Sequence, residues 1–169
     1  MDEIITNRLC LRKMTIDDAE AACHIYNNNQ VSAHFTIQSL ETPEQKKAFT
    51  QHIIANSCFI WTLRLLSRPQ LVIGDCALHH LNAEMDTIEV GGSLLPAYWG
   101  NGFMAEAFLT VIQFAAAKMN IKYIVGKTHP HNKQAIRCMQ KLGFEITAIT
   151  EGEVQLTMPV LMQHSFLLQ

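Results

Sequence analysis

Near its middle the chain reads Pro96-Ala97-Tyr98-Trp99-Gly100-Asn101-Gly102-Phe103-Met104-Ala105, between a strand-like run and a long apolar segment. Two glycines at such a junction let the backbone turn tightly and leave several N–H groups beside the positive end of the following helix. That arrangement can hold phosphates without charged side chains. An ordinary strand-to-helix turn with glycine at positive φ explains the same residues, so the motif alone does not decide between the two.

Two better-known phosphate motifs can be tested on this sequence. The full P-loop pattern, G-x-x-x-x-G-K followed by Ser or Thr, does not occur. Residues 100–105 do match G-x-G-x-x-A, the dinucleotide fingerprint, which also requires an acid roughly 20 residues further on. The chain has no Asp or Glu between Glu106 and Glu145. The sequence therefore argues against a nicotinamide cofactor.

Charge is unevenly distributed along the chain. Residues 107–144 contain six basic and no acidic side chains, whereas the rest contains seven basic and fifteen acidic ones. Lys133, Arg137 and Lys141 recur every four residues, so they share one helical stripe. A solvated helix face explains the stripe alone. A phosphate-rich ligand that spans this helix and the turn at Gly100 and Gly102, called the glycine turn below, explains the stripe and the turn together. The overall charge of −2 argues against a nucleic-acid partner.

Length and composition predict one globular domain. The 169 residues fit the usual ~100–200 residues per domain, and 49% are apolar against 17% charged. The longest strongly apolar uncharged run, 107–117, is too short to span a membrane, and no signal peptide is recognisable. The five cysteines are scattered without a CxxC pair, which favours a reduced, cytoplasmic protein. The short apolar run predicts no membrane partner.

Hydrophobic periodicity and turn residues predict alternating strands and helices. Because helices precede, interrupt and follow the strands, they predict one mixed sheet covered on both faces, an α/β (α+β) fold. Strands are predicted at 4–14, 58–66, 71–80, 87–95, 122–126, 144–149 and 160–168, and helices at 16–26, 42–56, 101–119 and 131–142.

Three stretches resemble the GNAT family of N-acetyltransferases, which use acetyl-coenzyme A. Residues 99–104 match W-G-x-G-x-M, a phosphate-loop variant of its ribosomal-protein branch. Residues 132–144 match N-x-x-S-x-x-x-x-x-K-L-G-F, apart from Ala135 at the Ser position, and residues 7–12 look like the opening strand T-x-R-L-x-L-R. The resemblance covers nearly the whole chain and implies a single GNAT domain, 1–169, with a central, mostly antiparallel sheet.

The resemblance implies specific contacts with acetyl-coenzyme A. The strand before the glycine turn would diverge from its neighbour and pair with the pantetheine arm near Leu94 and Leu95, where an amide would polarise the acetyl carbonyl. Asn132 would contact coenzyme A near its thiol and is also a predicted catalytic residue. Lys133 and Arg137 would meet the phosphates of coenzyme A. The residues expected around the pyrophosphate are Trp99, Gly100, Asn101, Gly102, Phe103 and Met104.

The family also implies the reaction and its acceptor. A primary amine, either a protein N-terminus or a small molecule, would attack the thioester directly, with no covalent enzyme intermediate. His34 and Phe35 fall in the loop where the family forms its acceptor cleft, although packing of that loop explains them as well. A second copy of the chain, forming a homodimer, is a further candidate partner.

Catalytic groups are less clearly marked. Glu89 is the predicted general base, because the family often places an acid on this strand; an edge salt bridge is the alternative. Relatives often protonate the leaving thiolate with a Ser or Tyr, but those positions hold Ala135 and Met139 here, and the adjacent Cys138 is expected to point elsewhere. A module that senses acyl-coenzyme A without turnover is therefore the rival to an enzyme.

No metal site is predicted. Asp75, His79 and His80 lie on the strand before Glu89, but adjacent side chains of a strand point to opposite faces, so the two histidines cannot bind one ion. The loop 129–131 has two further histidines without additional ligand spacing.

Overall fold

The computed structural model describes residues 3–33 and 39–160, and these form one eight-stranded sheet with five α-helices. The strands are β1 (Glu3–Ile5), β2 (Leu9–Lys13), β3 (Ser57–Leu65), β4 (Arg68–Asn82), β5 (Thr87–Leu94), β6 (Tyr123–Thr128), β7 (Glu145–Ile149) and β8 (Val154–Pro159). The helices are α1 (Ala19–Tyr26), α2 (Asn29–Ser32), α3 (Pro43–Ala55), α4 (Phe103–Lys118) and α5 (Lys133–Lys141).

The sheet order is β1-β2-β3-β4-β5-β6-β8-β7, and only the β5–β6 pair is parallel. This confirms the predicted mixed, mostly antiparallel sheet. Local sequence signals explain several element ends. At the start of α3, Thr42 Oγ1 accepts from the Gln45 N–H at 3.2 Å and Gln45 Oε1 accepts from the Thr42 N–H at 2.9 Å. With Pro43 in the first turn, this capping box begins the helix where the sequence predicts it.

Helices cover both faces of the sheet. Val111 of α4 and Ile136 of α5 pack with Leu78 and Ile88 in the larger core cluster. On the opposite face, Ala22 of α1 joins a smaller cluster with strand residues of β3 and β4. Among the described residues no helix is long and apolar enough to cross a membrane.

One predicted strand differs from the structure, and two elements of the structure were not predicted. The run 4–14 is two strands, because Thr6 turns the chain: its N–H donates to the Leu9 carbonyl at 2.9 Å and its hydroxyl accepts from the Leu9 N–H at 2.9 Å. Strand β8 was not predicted, and residues 161–169 of the predicted strand 160–168 lie outside the described part of the chain. The short helix α2 was not predicted, although Asn28 caps it by accepting from the Gln30 N–H.

Strands β5 and β6 diverge, and this positions the candidate site. Their pairing runs from Thr87↔Tyr123 to Glu89↔Val125 and then stops, although β5 continues to Leu94 and β6 to Thr128. Beyond that point β6 stays paired with β8 and β5 stays paired with β4. The sheet therefore opens a gap between two of its central strands.

Candidate functional site

A cavity of about 790 Å³ occupies the gap and the adjoining surface. Most of the residues that the sequence analysis singled out line it: Glu89, Leu94, Trp99, Gly100, Gly102, Phe103, Met104, Asn132 and Arg137. Leu95 and Asn101 are not among its lining residues, and Lys133 lines a neighbouring pocket of about 310 Å³ together with Asn132. His34 and Phe35 lie outside the described residues.

The glycine turn leads directly into α4. Gly100 and Gly102 both have φ of +76°, a conformation that favours glycine, and Gly102 is the N-cap residue of α4. The first amides of a helix have no acceptor within the helix, so those of Phe103, Met104 and Ala105 are available to a ligand. All three residues line the cavity. The turn therefore presents N–H groups and the positive helix end to the cavity, as an anion site requires.

Arg8, between the paired strands β1 and β2, contacts the glycine turn and supports it. The sequence did not predict this contact. Arg8 Nη1 donates to the Asn101 carbonyl at 2.9 Å, and Arg8 Nε pairs with Glu106 Oε2 at 2.7 Å. Thr6 also donates to Glu106. Burial raises the pKa of the Glu106 carboxyl, but the hydrogen bonds from Thr6 and Arg8 outweigh it and lower the pKa below its ordinary value. Thr6 and Arg8 lie about 100 positions before Glu106 in the sequence. The resemblance of residues 7–12 to the family's opening strand was the available sequence signal for this part of the chain.

Strand β5 presents one edge of its backbone to the gap. The Leu95 N–H donates to the Ile73 carbonyl on β4 at 2.9 Å, so it points away from the gap. Because backbone groups alternate along a strand, the N–H groups of Leu94 and Gly92 point toward the gap instead. The Leu94 carbonyl accepts from Trp99 Nε1 at 2.6 Å. Of the two predicted residues, only Leu94 therefore offers an amide to a ligand in the gap.

The first turn of α5 forms the opposite side of the cavity. Asn132 Oδ1 accepts from the Ala135 N–H at 3.2 Å and so caps α5. Asn132 also lines the cavity. Ala135 and Cys138 also line the cavity. The expectation that the Cys138 thiol points away from the leaving group stays a prediction. Burial raises the pKa of the Cys138 thiol. Met139 is buried and packs against Gly126 of β6.

Three side chains of β4 and β5 form the polar wall of the cavity, His79, His80 and Glu89. Glu89 Oε2 lies 3.2 Å from both Lys127 Nζ and His80 Nδ1. His80 has φ of +44° in an irregular part of β4, so the two histidine rings do not take opposite faces: their centroids are 5.9 Å apart. That prediction is wrong. Nonetheless, no group of three potential ligands among the described residues could hold a metal ion.

A buried carboxyl lies on the same face of the sheet. Asp75 is 1% exposed and its Oδ1 accepts from the Ser93 N–H at 3.1 Å. Burial raises the pKa of Asp75 to about 7, against the opposing effects of hydrogen bonds from Tyr26 and the Ser93 amide. Tyr26, Asp75 and Ser93 all line the cavity. A second titratable group therefore lies along the wall that carries Glu89.

Solved structures of known proteins share this fold. One solved structure, an acetyltransferase (GNAT family) from Bacillus anthracis, has a TM-score of 0.78 at 20% identity, over 93% of this chain and 98% of that chain. A ribosomal-protein-S5-alanine acetyltransferase from Vibrio fischeri has a TM-score of 0.76 at 18% identity, over 93% and 96%. A spermidine N-acetyltransferase from Vibrio cholerae, in complex with CoA and spermine, has a TM-score of 0.75 at 16% identity, over 91% and 96%.

Sequence comparisons identify the family of the chain. An "Uncharacterized N-acetyltransferase p20" from Bacillus licheniformis is 28% identical over 148 residues, which is 86% of this chain and 83% of the relative. Residues 8–145 match the family model described as an acetyltransferase (GNAT) domain. That match includes the diverging strands, the glycine turn and the first turns of α4 and α5. The chain belongs to the GNAT family of acetyltransferases.

Proposed function

We propose that this N-acetyltransferase moves the acetyl group of acetyl-coenzyme A to a primary amine by direct attack. The observation that carries the proposal is the gap between β5 and β6, which leads onto the N–H groups of the glycine turn. A long ligand with an amide-bearing arm and a pyrophosphate matches both parts at once. The backbone amides of Gly92 and Leu94 would pair with the arm, and those of residues 102–105 would hold the pyrophosphate.

The residues of the cavity fit the remaining parts of coenzyme A. Arg137 and Lys141 line the cavity and are exposed, so they could meet phosphate groups at its outer end. Lys133 lies in the adjoining pocket and extends this basic surface. Asn132 keeps its side-chain amide nitrogen free of the capping bond, which uses Oδ1, and that nitrogen would contact coenzyme A near its thiol. The co-substrate supplies the activated acetyl group.

The acceptor would approach the polar wall. Two structural neighbours are named for different acceptors, a ribosomal-protein alanine and spermidine. We therefore propose a primary amine of one of these two classes, a protein N-terminus or a small molecule. The prediction that Glu89 is the general base stays a prediction; its carboxylate faces the cavity but is already paired with Lys127 and His80.

Charge reversal at Arg137 is expected to weaken coenzyme A binding by about tenfold or more. Dephospho-coenzyme A, which lacks the 3′-phosphate, should lose less affinity, and the difference should shrink at high salt because the charges are exposed. Calorimetric titration of Arg137→Glu with both ligands measures this. The matched control is Lys118→Glu, an exposed residue at the end of α4 with the same charge change. If Arg137→Glu weakens the binding of both ligands equally, Arg137 does not contact the 3′-phosphate.

Ala135→Ser tests the missing proton donor. It restores a hydroxyl where relatives carry one, at a residue that lines the cavity. We expect kcat to rise between about tenfold and 100-fold while coenzyme A affinity stays constant, because charge on sulfur develops only in the transition state. Ala117→Ser on the exposed side of α4 is the control. An unchanged kcat would show that thiolate protonation does not limit turnover, and weaker coenzyme A binding would contradict the placement of Ala135 beside the thiol.

A second candidate function is an acyl-coenzyme A sensor with little or no turnover. Ala135 and Met139 favour it, because neither can protonate a thiolate. Mass spectrometry separates the two functions after incubation of the protein and acetyl-coenzyme A with peptides bearing free N-termini and with small amines. An enzyme yields an acetylated amine in one of these classes. Coenzyme A binding without any acetylated amine would support the sensor.

A further inference from the structure

The tautomer of His79 is determined by its hydrogen bonds. Ser57 Oγ lies 2.7 Å from the Ile53 carbonyl and 3.0 Å from His79 Nδ1. A carbonyl oxygen only accepts, so the single hydroxyl proton of Ser57 goes to Ile53. The Ser57 oxygen must then accept a proton from Nδ1. Neutral His79 therefore carries its proton on Nδ1, and its Nε2 has a free lone pair.

That free nitrogen lies beside the strand proposed to bind the acetyl-bearing arm. A Cβ built at Gly91 would lie 3.3 Å from His79 Nε2, so Nε2 stands over the backbone of β5. Any side chain at Gly91 would crowd the nitrogen. Gly91 is followed by Gly92, whose N–H points toward the gap. The half-buried His79 ring and both glycines line the same cavity.

The charges around His79 suit a group that gains a proton during the reaction. Burial lowers the pKa of His79 below its ordinary value, which keeps the resting ring neutral, and the charge of His80 on β4 adds to this. The Glu89 carboxylate on β5 and a hydrogen bond with the Asn56 backbone oppose it. Lys127 on β6 pairs with Glu89, and His52 on α3 also lines the cavity. A proton gained by His79 would therefore be stabilised by the nearby carboxylate.

On the basis of the proposed function, we propose that His79 Nε2, rather than Glu89, removes the proton from the acceptor amine. As the amine nitrogen bonds to the acetyl carbon, its proton passes to the Nε2 lone pair and the carbon–sulfur bond breaks. Coenzyme A leaves as the thiolate, and the proton on His79 returns to that thiolate or to water, so the products are an amide and a free thiol. Ser57 is a positioning residue, and Glu89 acts through the charge it places near the ring.

His79→Gln should lower kcat on the order of 100-fold while coenzyme A affinity stays constant. In the wild-type protein kcat should fall as pH drops below a pKa that is lower than 6.5, because protonation removes the Nε2 lone pair. This acidic limb should be absent from the profile of the variant. His24→Gln, on the exposed side of α1, removes a histidine outside the cavity and should leave both the rate and the profile unchanged.

Ser57→Ala tests the positioning separately. In ¹⁵N NMR spectra of the free wild-type protein, the His79 ring should show a protonated Nδ1 and a bare Nε2, and Ser57→Ala should lose that preference and part of kcat. A protonated Nε2 in the wild type would overturn the inference whatever the activity. If His79→Gln keeps the wild-type kcat and acidic limb while Glu89→Gln loses both, Glu89 is the base and the proposed function stands. If the wild type acetylates no amine, the proposed function itself fails.

Discussion

Gly102→Val is expected to abolish coenzyme A binding, with a loss of affinity on the order of 100-fold or more, in a protein that stays folded. Gly102 has φ of +76°, which a β-branched residue adopts only under strain. The space around it is open, since within residues 3–33 and 39–160 a Cβ there would meet only Arg8 Nη2, at 3.6 Å. The damage is therefore to the path of the turn and to access to its N–H groups, and the core is untouched.

Calorimetric titration with coenzyme A measures this loss, and a thermal melt checks the fold. Gly152→Val is the matched control, because the φ of Gly152 is not in the left-handed region and no atom of the described residues lies within 4 Å of a Cβ built there. The control should bind coenzyme A as the wild type does. A folded Gly102→Val protein with wild-type affinity would show that the glycine turn does not hold the pyrophosphate.

Asp18→Ala should reduce the free energy of unfolding by about 3–5 kcal/mol, because it leaves a buried cation without its counter-ion. Asp18 Oδ1 accepts from Arg64 Nη2 at 2.8 Å, and both side chains are nearly inaccessible, at 5% and 6% exposure. Its other oxygen accepts from the Thr15 N–H at 3.0 Å at the start of the segment leading into α1. Asp18 Oδ1 also accepts from Arg12 Nη2 at 3.0 Å. The substitution thus removes two ion pairs and the hydrogen bond to Thr15 before the helix that carries Tyr26 to the cavity.

Urea denaturation measures the change, with Asp17→Ala as the control on the adjacent, exposed residue. The control should unfold within about 0.5 kcal/mol of the wild type. Adding Arg64→Met to Asp18→Ala should recover part of the loss, because it replaces the unpaired cation with an apolar side chain. A single variant as stable as the wild type would show that the Arg64–Asp18 pair contributes nothing to stability.

Local signals predicted most of the fold. The capping box at Thr42 and Gln45 begins α3, and the glycine turn separates β5 from α4, because both depend on residues close in sequence. The split of the run 4–14 comes from tertiary pairing, because the turn at Thr6 has no glycine or proline to mark it. Strand β8 and the short helix α2 were not predicted, and residues 161–169 of the predicted strand 160–168 lie outside the described part of the chain. The single-domain and cytoplasmic assignments and the homodimer stay predictions.

The candidate site was only partly predictable for the same reason. The residues of the glycine turn are consecutive, and the sequence located them together. The contact of Arg8 with Glu106 joins residues 98 positions apart, and no spacing rule connects them. The positive φ of His80, which brings two histidines to one cavity, arises where the β4–β5 register shifts. Strand alternation predicts the opposite arrangement, and only the three-dimensional structure shows the departure.

Acetyl transfer to an amine is tested by measuring the free thiol that the wild-type protein releases from acetyl-coenzyme A, with and without each amine. Gly102→Val, which should not bind the co-substrate, gives the background rate. We predict release that depends on one class of primary amine and yields one acetylated amine per thiol. If thiol release is the same with and without every amine, in a protein that still binds coenzyme A, acetyl transfer to an amine is contradicted. The acyl-coenzyme A sensor is then the remaining function.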